Sequence, residues 1–124
     1  MGQAMDDPGD AILIVEDEAL IRYDLVDFFE DAGFQVFEAD NAEVAIALMD
    51  ANRSIRIVLT DVQMPGTMDG MKLAHHIRDR YPPTLLLIAS GEIRPTAAEL
   101  PTGAVFIQKP FDPRSVLSVI QQAF

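Results

Sequence analysis

Five short apolar runs, each closing on a polar or charged residue and alternating with segments of helical character, constrain this chain more than any other feature. Ala11–Val15 is almost unbroken apolar and β-branched, the pattern of a strand covered on both faces of a parallel sheet, and it ends in Glu16, Asp17 and Glu18. Phe34–Ala39, Ile55–Thr60, Thr84–Ala89 and Ala104–Gln108 repeat the theme, ending at Asp40, Asp61, Ser90 and Lys109. Between them, Ala19–Ala32 places Ile21, Leu25, Phe28, Phe29 and Ala32 at helical spacing, with Gly33 where a helix should stop. Asp40 followed by Glu43 reads as a capping box opening a helix over Ala42–Ala51, and Met71–Arg80 is helical up to Tyr81-Pro82-Pro83. Asp112 before Pro113 places a cap and a first-turn proline at the start of a closing helix, Pro113–Gln122. Alternation of this kind predicts an α/β fold: parallel strands, right-handed crossovers, helices on both faces, and a ligand crevice at the carboxyl ends of the strands.

Size and charge narrow the class. The 124 residues suffice for one compact domain, read as residues 11–124 behind an apolar-poor tail over residues 1–10. The tail has neither a basic start nor an apolar run, so it is no targeting signal, and no stretch approaches the roughly 20 apolar residues of a membrane span. Cysteine is absent, which removes disulfides, thiolate metal sites and a cysteine nucleophile, and cytoplasmic localisation is the expectation. With 20 acidic against 9 basic side chains, the net charge of −11 argues against direct contact with nucleic acid.

The chemistry collects at the strand ends. In a doubly wound sheet the first and third strands are neighbours, so Glu16, Asp17 and Asp61 converge there, with the hydroxyl of Ser90 and the ammonium of Lys109 opposite. Three close carboxylates repel unless a cation neutralises them, and a site offering oxygen but no nitrogen or sulfur suits Mg²⁺, or equally Mn²⁺. A carboxylate beside such a metal can act as nucleophile toward a phosphoryl donor, with Lys109 and Ser90 meeting the remaining phosphoryl oxygens.

Val15-Glu16-Asp17-Glu18, Asp61-Val62-Gln63-Met64-Pro65-Gly66 with Met68-Asp69-Gly70, Ser90-Gly91 and Lys109-Pro110-Phe111, in this order, resemble a bacterial two-component response-regulator receiver domain of the chemotaxis-regulator type. The resemblance spans residues 11–124 and leaves a standalone regulator and a receiver cut from a longer chain both open. It implies a flavodoxin-like, three-layer α/β/α fold with five parallel strands in the order 2-1-3-4-5. It further implies phosphorelay signal transduction: Asp61 takes a phosphoryl group from a histidine kinase or histidine phosphotransfer protein, with Asp17 and Asp61 on the metal, Glu16 assisting, and Gln63 giving a backbone carbonyl. Ser90 would be the switch hydroxyl, Lys109 the site cation, and Phe106 the aromatic that turns inward on activation. Such a module signals to a downstream protein target and is not an enzyme acting on other substrates. Lys109-Pro110 is expected cis, as that bond often is in the family, and Glu92, two residues beyond Ser90, is placed to tune loss of the phosphate.

Two departures from the family pattern stand out. The loop Pro65–Gly70 is one residue longer than the frequent form. Pro95 and Pro101 bracket only Thr96–Leu100, where the family usually has a fourth helix of several turns, so that helix is expected to be short or irregular. Other residues have plainer readings: adjacent His75 and His76 diverge by about 100° on a helix and cannot clamp one ion, and Met64, Met68 and Met71 are packing residues. The competing functions are a Mg²⁺-dependent aspartyl-phosphate phosphatase or phosphotransferase, which should carry an acid where Gln63 stands, and a nucleotide or flavin binder, which lacks its glycine-rich loop after the first strand. A phosphorylation-independent interaction module is the third, weakened because all five key positions are filled.

Overall fold

A computed structural model of the chain describes residues 11–64, 68–92 and 94–124. The tail over residues 1–10 and most of the lengthened part of the 65–70 loop lie outside the described residues. In chain order the elements are β1 (Ala11–Val15), α1 (Ala19–Asp31), β2 (Gln35–Ala39), α2 (Ala42–Ala51), β3 (Ile55–Asp61), α3 (Gly70–Arg80), β4 (Leu85–Ser90), β5 (Val105–Gln108) and α4 (Pro113–Ala123). All strands pair parallel, in the order β2-β1-β3-β4-β5. This is the expected flavodoxin-like arrangement, with element ends within about one residue of those read from the sequence.

The apolar runs work because successive strand residues face opposite sides. Leu13 and Val15 of β1 join Val58, Ile88, Leu73 and Ile77 in a core beneath α2 and α3. Ile12 and Ile14 join Phe29, Ile57, Leu59, Leu87, Val116 and Ile120 in a second core beneath α1 and α4. Two buried layers hold the central strands rigid, so the residues at their carboxyl ends sit on a fixed frame.

Local signals set the helix ends. Gly33 adopts φ 101°, and Phe34 N–H reaches back to the Phe29 carbonyl at 3.0 Å. This closes α1 with the left-handed glycine that a helix stop requires. The Phe29 and Phe34 rings meet edge to face at 5.7 Å, the apolar contact that accompanies such a stop. Asp112 caps α4 through Arg114 N–H at 2.9 Å, with Pro113 in the first turn. The capping box is corrected: Asn41, not Asp40, caps α2, its Oδ1 accepting from Val44 N–H at 2.9 Å. Asp40 instead accepts from the Asn41 side chain at 2.7 Å, because a cap must stand one residue before the first helical residue, Ala42.

Between β4 and β5 no helix forms among the described residues. Two single turns stand there, one with Ala104 N–H on the Pro101 carbonyl at 3.1 Å and, before it, one with Glu99 N–H on the Thr96 carbonyl at 3.0 Å and the Glu99 carboxylate accepting from Thr96 N–H at 2.8 Å. His75 Nε2–H anchors this turn by donating to the Glu99 carbonyl at 2.8 Å, and Leu100 packs on the α2/α3 core. The prolines act as their chemistry requires, denying a continued helix its donor and its room.

Candidate functional site

The sheet delivers the site. β3 lies between β1 and β4, with Thr60 opposite Val15 and Asp61 opposite Ala89. Asp61 is held by its neighbours' backbone: Val62 N–H donates to the Ala89 carbonyl at 3.0 Å. Glu16 follows β1 with its N–H on the Ala39 carbonyl, and Lys109 follows β5 with its N–H on the Ser90 carbonyl, each at 3.0 Å. The Lys109-Pro110 peptide is cis, as expected.

Carboxylate oxygens of Glu16, Asp17 and Asp61 all lie within 4.8 Å of one another. Lys109 Nζ stands 2.9 Å from Glu16 Oε1 and 3.3 Å from Asp61 Oδ1. Glu16 is only 3% exposed and Asp61 retains 12% of its side-chain surface, so water screens these charges weakly. Burial accordingly pushes the Glu16 carboxyl above the ordinary carboxylate range, against the opposing pull of Lys109 and of Glu18 N–H. Asp61 is likewise raised by burial, with Lys109 opposing and the Asp17 charge adding to the rise. For Lys109 burial pulls downward, but Glu16 and Asp61 together carry the ammonium above its usual value. With its three carboxylates ionised and Lys109 the cation paired with them, the site is an electrostatically unsatisfied anionic pocket, two positive charges short of neutrality.

Of the other residues singled out from sequence, Ser90 is 1% exposed at the end of β4, one step beyond the residue opposite Asp61. Phe106 is half-buried on β5 opposite Ile88. Gln63 and Glu92 are both exposed, each two residues past a strand end. His75 and His76 lie in α3, apart from the acid cluster.

Two residues at the site, Arg22 and the Gly70 of the Met68-Asp69-Gly70 motif, had no role assigned from sequence. Arg22 donates through its guanidinium to the Glu16 carbonyl at 2.8 Å and to Glu38 Oε1 at 2.9 Å, clamping the turn that carries the acids. The signal was present: Arg22 is the lone cation of α1 and stands near its N-terminus, where the helix dipole disfavours positive charge unless a tertiary partner compensates. Gly70 donates its N–H to the Val62 carbonyl at 2.8 Å, and a Cβ there would lie 1.7 Å from the Asp61 carbonyl oxygen. Only glycine lets α3 start so close to the backbone of Asp61.

Comparison with known proteins agrees with this geometry. Residues 12–121 match the response regulator receiver domain family. The chain is 36% identical over 112 residues to the response regulator protein FleR of Pseudomonas aeruginosa, covering 88% of this chain and 23% of that protein. It is 38% identical to the transcriptional regulatory protein ResD of Bacillus subtilis, covering 86% of this chain and 44% of ResD. It therefore spans less than half of the length of these relatives. Among solved structures, a receiver protein of Sinorhizobium medicae superposes with TM-score 0.84 at 25% identity, covering 91% of this chain and 92% of that one. Chemotaxis protein CheY4 of Vibrio cholerae gives 0.80 at 26% identity, covering 92% and 98%. Fold, strand-end chemistry and sequence relatives agree, and the chain belongs to the response-regulator receiver domains of two-component signalling.

Proposed function

We propose that Asp61 is the phosphoryl acceptor of a phosphorelay, charged by a phosphohistidine donor, a histidine kinase or histidine phosphotransfer protein. The observation that carries this is Lys109 Nζ bridging Glu16 and Asp61 inside a cluster of three carboxylates at the ends of β1 and β3. In the forward step an Asp61 oxygen attacks phosphorus, the P–N bond to the donor imidazole breaks, and the imidazole leaves with the bonding pair and takes a proton. In the reverse direction of signalling, water attacks the acyl phosphate and releases inorganic phosphate, restoring the carboxylate. Lys109 stands ready to neutralise charge on the transferring group, and Ser90 to donate its hydroxyl to a phosphoryl oxygen.

The donor set also fits a hard divalent cation: carboxylates of Glu16, Asp17 and Asp61, all oxygen, in a pocket whose burial raises the cost of their charge. Asp17 and Asp61 would hold Mg²⁺ or Mn²⁺ directly, with Glu16 assisting and the Gln63 carbonyl contributing. Bound there, the ion offsets the carboxylate repulsion and the charge of the phosphoryl oxygens. Lys109 also forms one wall of a largely apolar cavity of about 660 Å³, lined by Ile21, Leu25, Pro110 and Phe111. That cavity suits an apolar helix face of the phosphohistidine protein, because Lys109, whose ammonium the phosphoryl group must reach, is among its lining residues.

The module acts as a signalling receiver whose chemistry is confined to its own Asp61, read by a downstream protein rather than by nucleic acid, in keeping with its net charge of −11. No helix among the described residues is long and apolar enough to cross a membrane. The test is intact mass after incubation with Mg²⁺ and a small-molecule phosphodonor. One phosphoryl gain is expected, abolished by a chelator and by Asp61→Asn. Absence of any gain in the unmodified protein overturns the reading.

A further inference from the structure

The face of β5 that lacks a helix is covered by side chains instead. Phe106 and Gln108 are two residues apart on this strand and so point to the same side of the sheet, while Val105 and Ile107 enter the α1/α4 core. On the Phe106 side lies Arg94, from the segment between β4 and β5. Its guanidinium carbon stands 5.6 Å from the centroid of the Phe106 ring, within cation–π range. The same guanidinium donates to Gln108 Oε1 at 2.6 Å.

Gln108 does more than receive Arg94. Its Nε2 donates to the carbonyls of Ser90 at 3.3 Å, Gly91 at 3.2 Å and Lys109 at 3.3 Å. The orientation of the amide follows from its partners, since carbonyls only accept and a guanidinium only donates. Two N–H groups shared among three acceptors make three long bonds, each close to the limit of hydrogen-bond geometry. A fork of this kind responds steeply to position: a shift of a few tenths of an ångström in the Ser90-Gly91 backbone breaks one arm and tightens another. Its three acceptors are the exits of the two strands that carry Ser90 and Lys109, and its oxygen is tied to the cation over Phe106.

We propose that Gln108 is a positioning residue that senses the Ser90-Gly91 backbone, and that Arg94 is the cover holding the Phe106 ring outward in the unphosphorylated protein. This rests on the reading of Asp61 given above and names how that site is read out where the described residues form no helix between β4 and β5. When the Ser90 hydroxyl is drawn toward a phosphoryl group on Asp61, the carbonyls of Ser90 and Gly91 move with it. The Gln108 amide follows them, its oxygen withdraws from Arg94, and the guanidinium leaves the face of Phe106. The residue types are specific to the task. A glutamate at position 108 would keep the Arg94 pair but set oxygens against three carbonyls, and a lysine at position 94 would keep the charge but lose the planar stack.

The test follows the Phe106 ring by NMR of protein with ¹³C-labelled phenylalanine, its signal assigned by its loss in Phe106→Leu. Arg94→Ala, Arg94→Lys and Gln108→Glu are compared with the unmodified chain before and after Mg²⁺ and a small-molecule phosphodonor, at phosphoryl occupancies matched by intact mass. In unphosphorylated Arg94→Ala the ring equilibrium should shift about two- to fivefold toward the position seen in the phosphorylated unmodified protein, with a smaller shift in Arg94→Lys. In Gln108→Glu the ring should stay at its unphosphorylated position and fail to move on phosphorylation. A Phe106 signal unchanged by Arg94→Ala, or a Gln108→Glu protein whose ring responds as the unmodified one does, overturns the proposal. Arg94 is exposed, so its variants fold, and their unphosphorylated spectra decide its role even if the mass experiment shows no phosphoryl gain.

Discussion

Replacing Lys109 with methionine isolates the electrostatics of the site, because methionine preserves most of the stem and removes only the ammonium. The ammonium lies 2.9 Å from Glu16 and 3.3 Å from Asp61. At an effective dielectric near 20, contacts at those distances amount to roughly 5 to 6 kcal/mol each before desolvation. Most of that is cancelled by the cost of stripping water from the three groups, and Lys109 keeps 22% of its side-chain surface in solvent. The net loss expected for Lys109→Met at neutral pH and without divalent cation is about 2–3 kcal/mol, most of it from leaving Glu16 and Asp61 buried and mutually repelling. In urea this corresponds to a midpoint lower by about 1–2 M. The pH dependence has a definite sign. Glu16 and Asp61 are raised by burial in the folded protein, so their contribution to stability is complete below the ordinary carboxylate range and is lost as pH rises through the raised values. Without Lys109 to oppose the rise, that window extends further toward neutrality. The penalty of Lys109→Met should therefore be large near pH 7, shrink as pH falls toward the ordinary carboxylate range, and be partly recovered by millimolar Mg²⁺. Urea melts at several pH values, with and without Mg²⁺, measure all three. A penalty as large in acid as at neutral pH would falsify the electrostatic account and point to lost packing.

Three further outcomes follow from the same geometry. Gly70→Ala should destabilise the domain by more than ~3 kcal/mol, since its Cβ would fall 1.7 Å from the Asp61 carbonyl oxygen; a melting curve close to that of the unmodified chain would show that α3 can withdraw from the site. Asp61→Asn should stabilise the cation-free protein by about 1 kcal/mol at neutral pH and not in acid, because it removes a carboxylate whose charged form burial disfavours; it should also abolish most of the stabilisation by Mg²⁺, and equal Mg²⁺ responses in the two proteins would sink the metal assignment. Asn41→Ala should cost about 1 kcal/mol in thermal or urea melts through loss of the α2 cap, while Asp40→Ala costs much less; the reverse order would reinstate Asp40 as the cap.

What the sequence by itself determined is the part of this protein governed by local physics. Short, β-branched apolar runs such as Ala11–Val15 read as strands covered on both faces, Gly33 and Asp112-Pro113 mark helix ends by backbone preference, and Pro95 with Pro101 forbids a long helix between β4 and β5. The acids, the hydroxyl and the ammonium at the strand ends were legible for the same reason, since a polar residue closing a buried strand is where a crevice must be. Only the tertiary structure decided which of those groups touch. Lys109 reaches Glu16 across 93 positions of sequence, and Gly70, Arg22, Arg94 and Gln108 acquire their roles from backbone and side chains supplied by other elements. No local preference encodes such contacts, because each depends on where separate strand ends converge once two cores have packed against one twisted sheet. Asp61 was therefore recognisable as the acid at the centre of the site, but its raised carboxyl, its glycine-backed carbonyl and the fork at Gln108 beside it exist only in the folded chain.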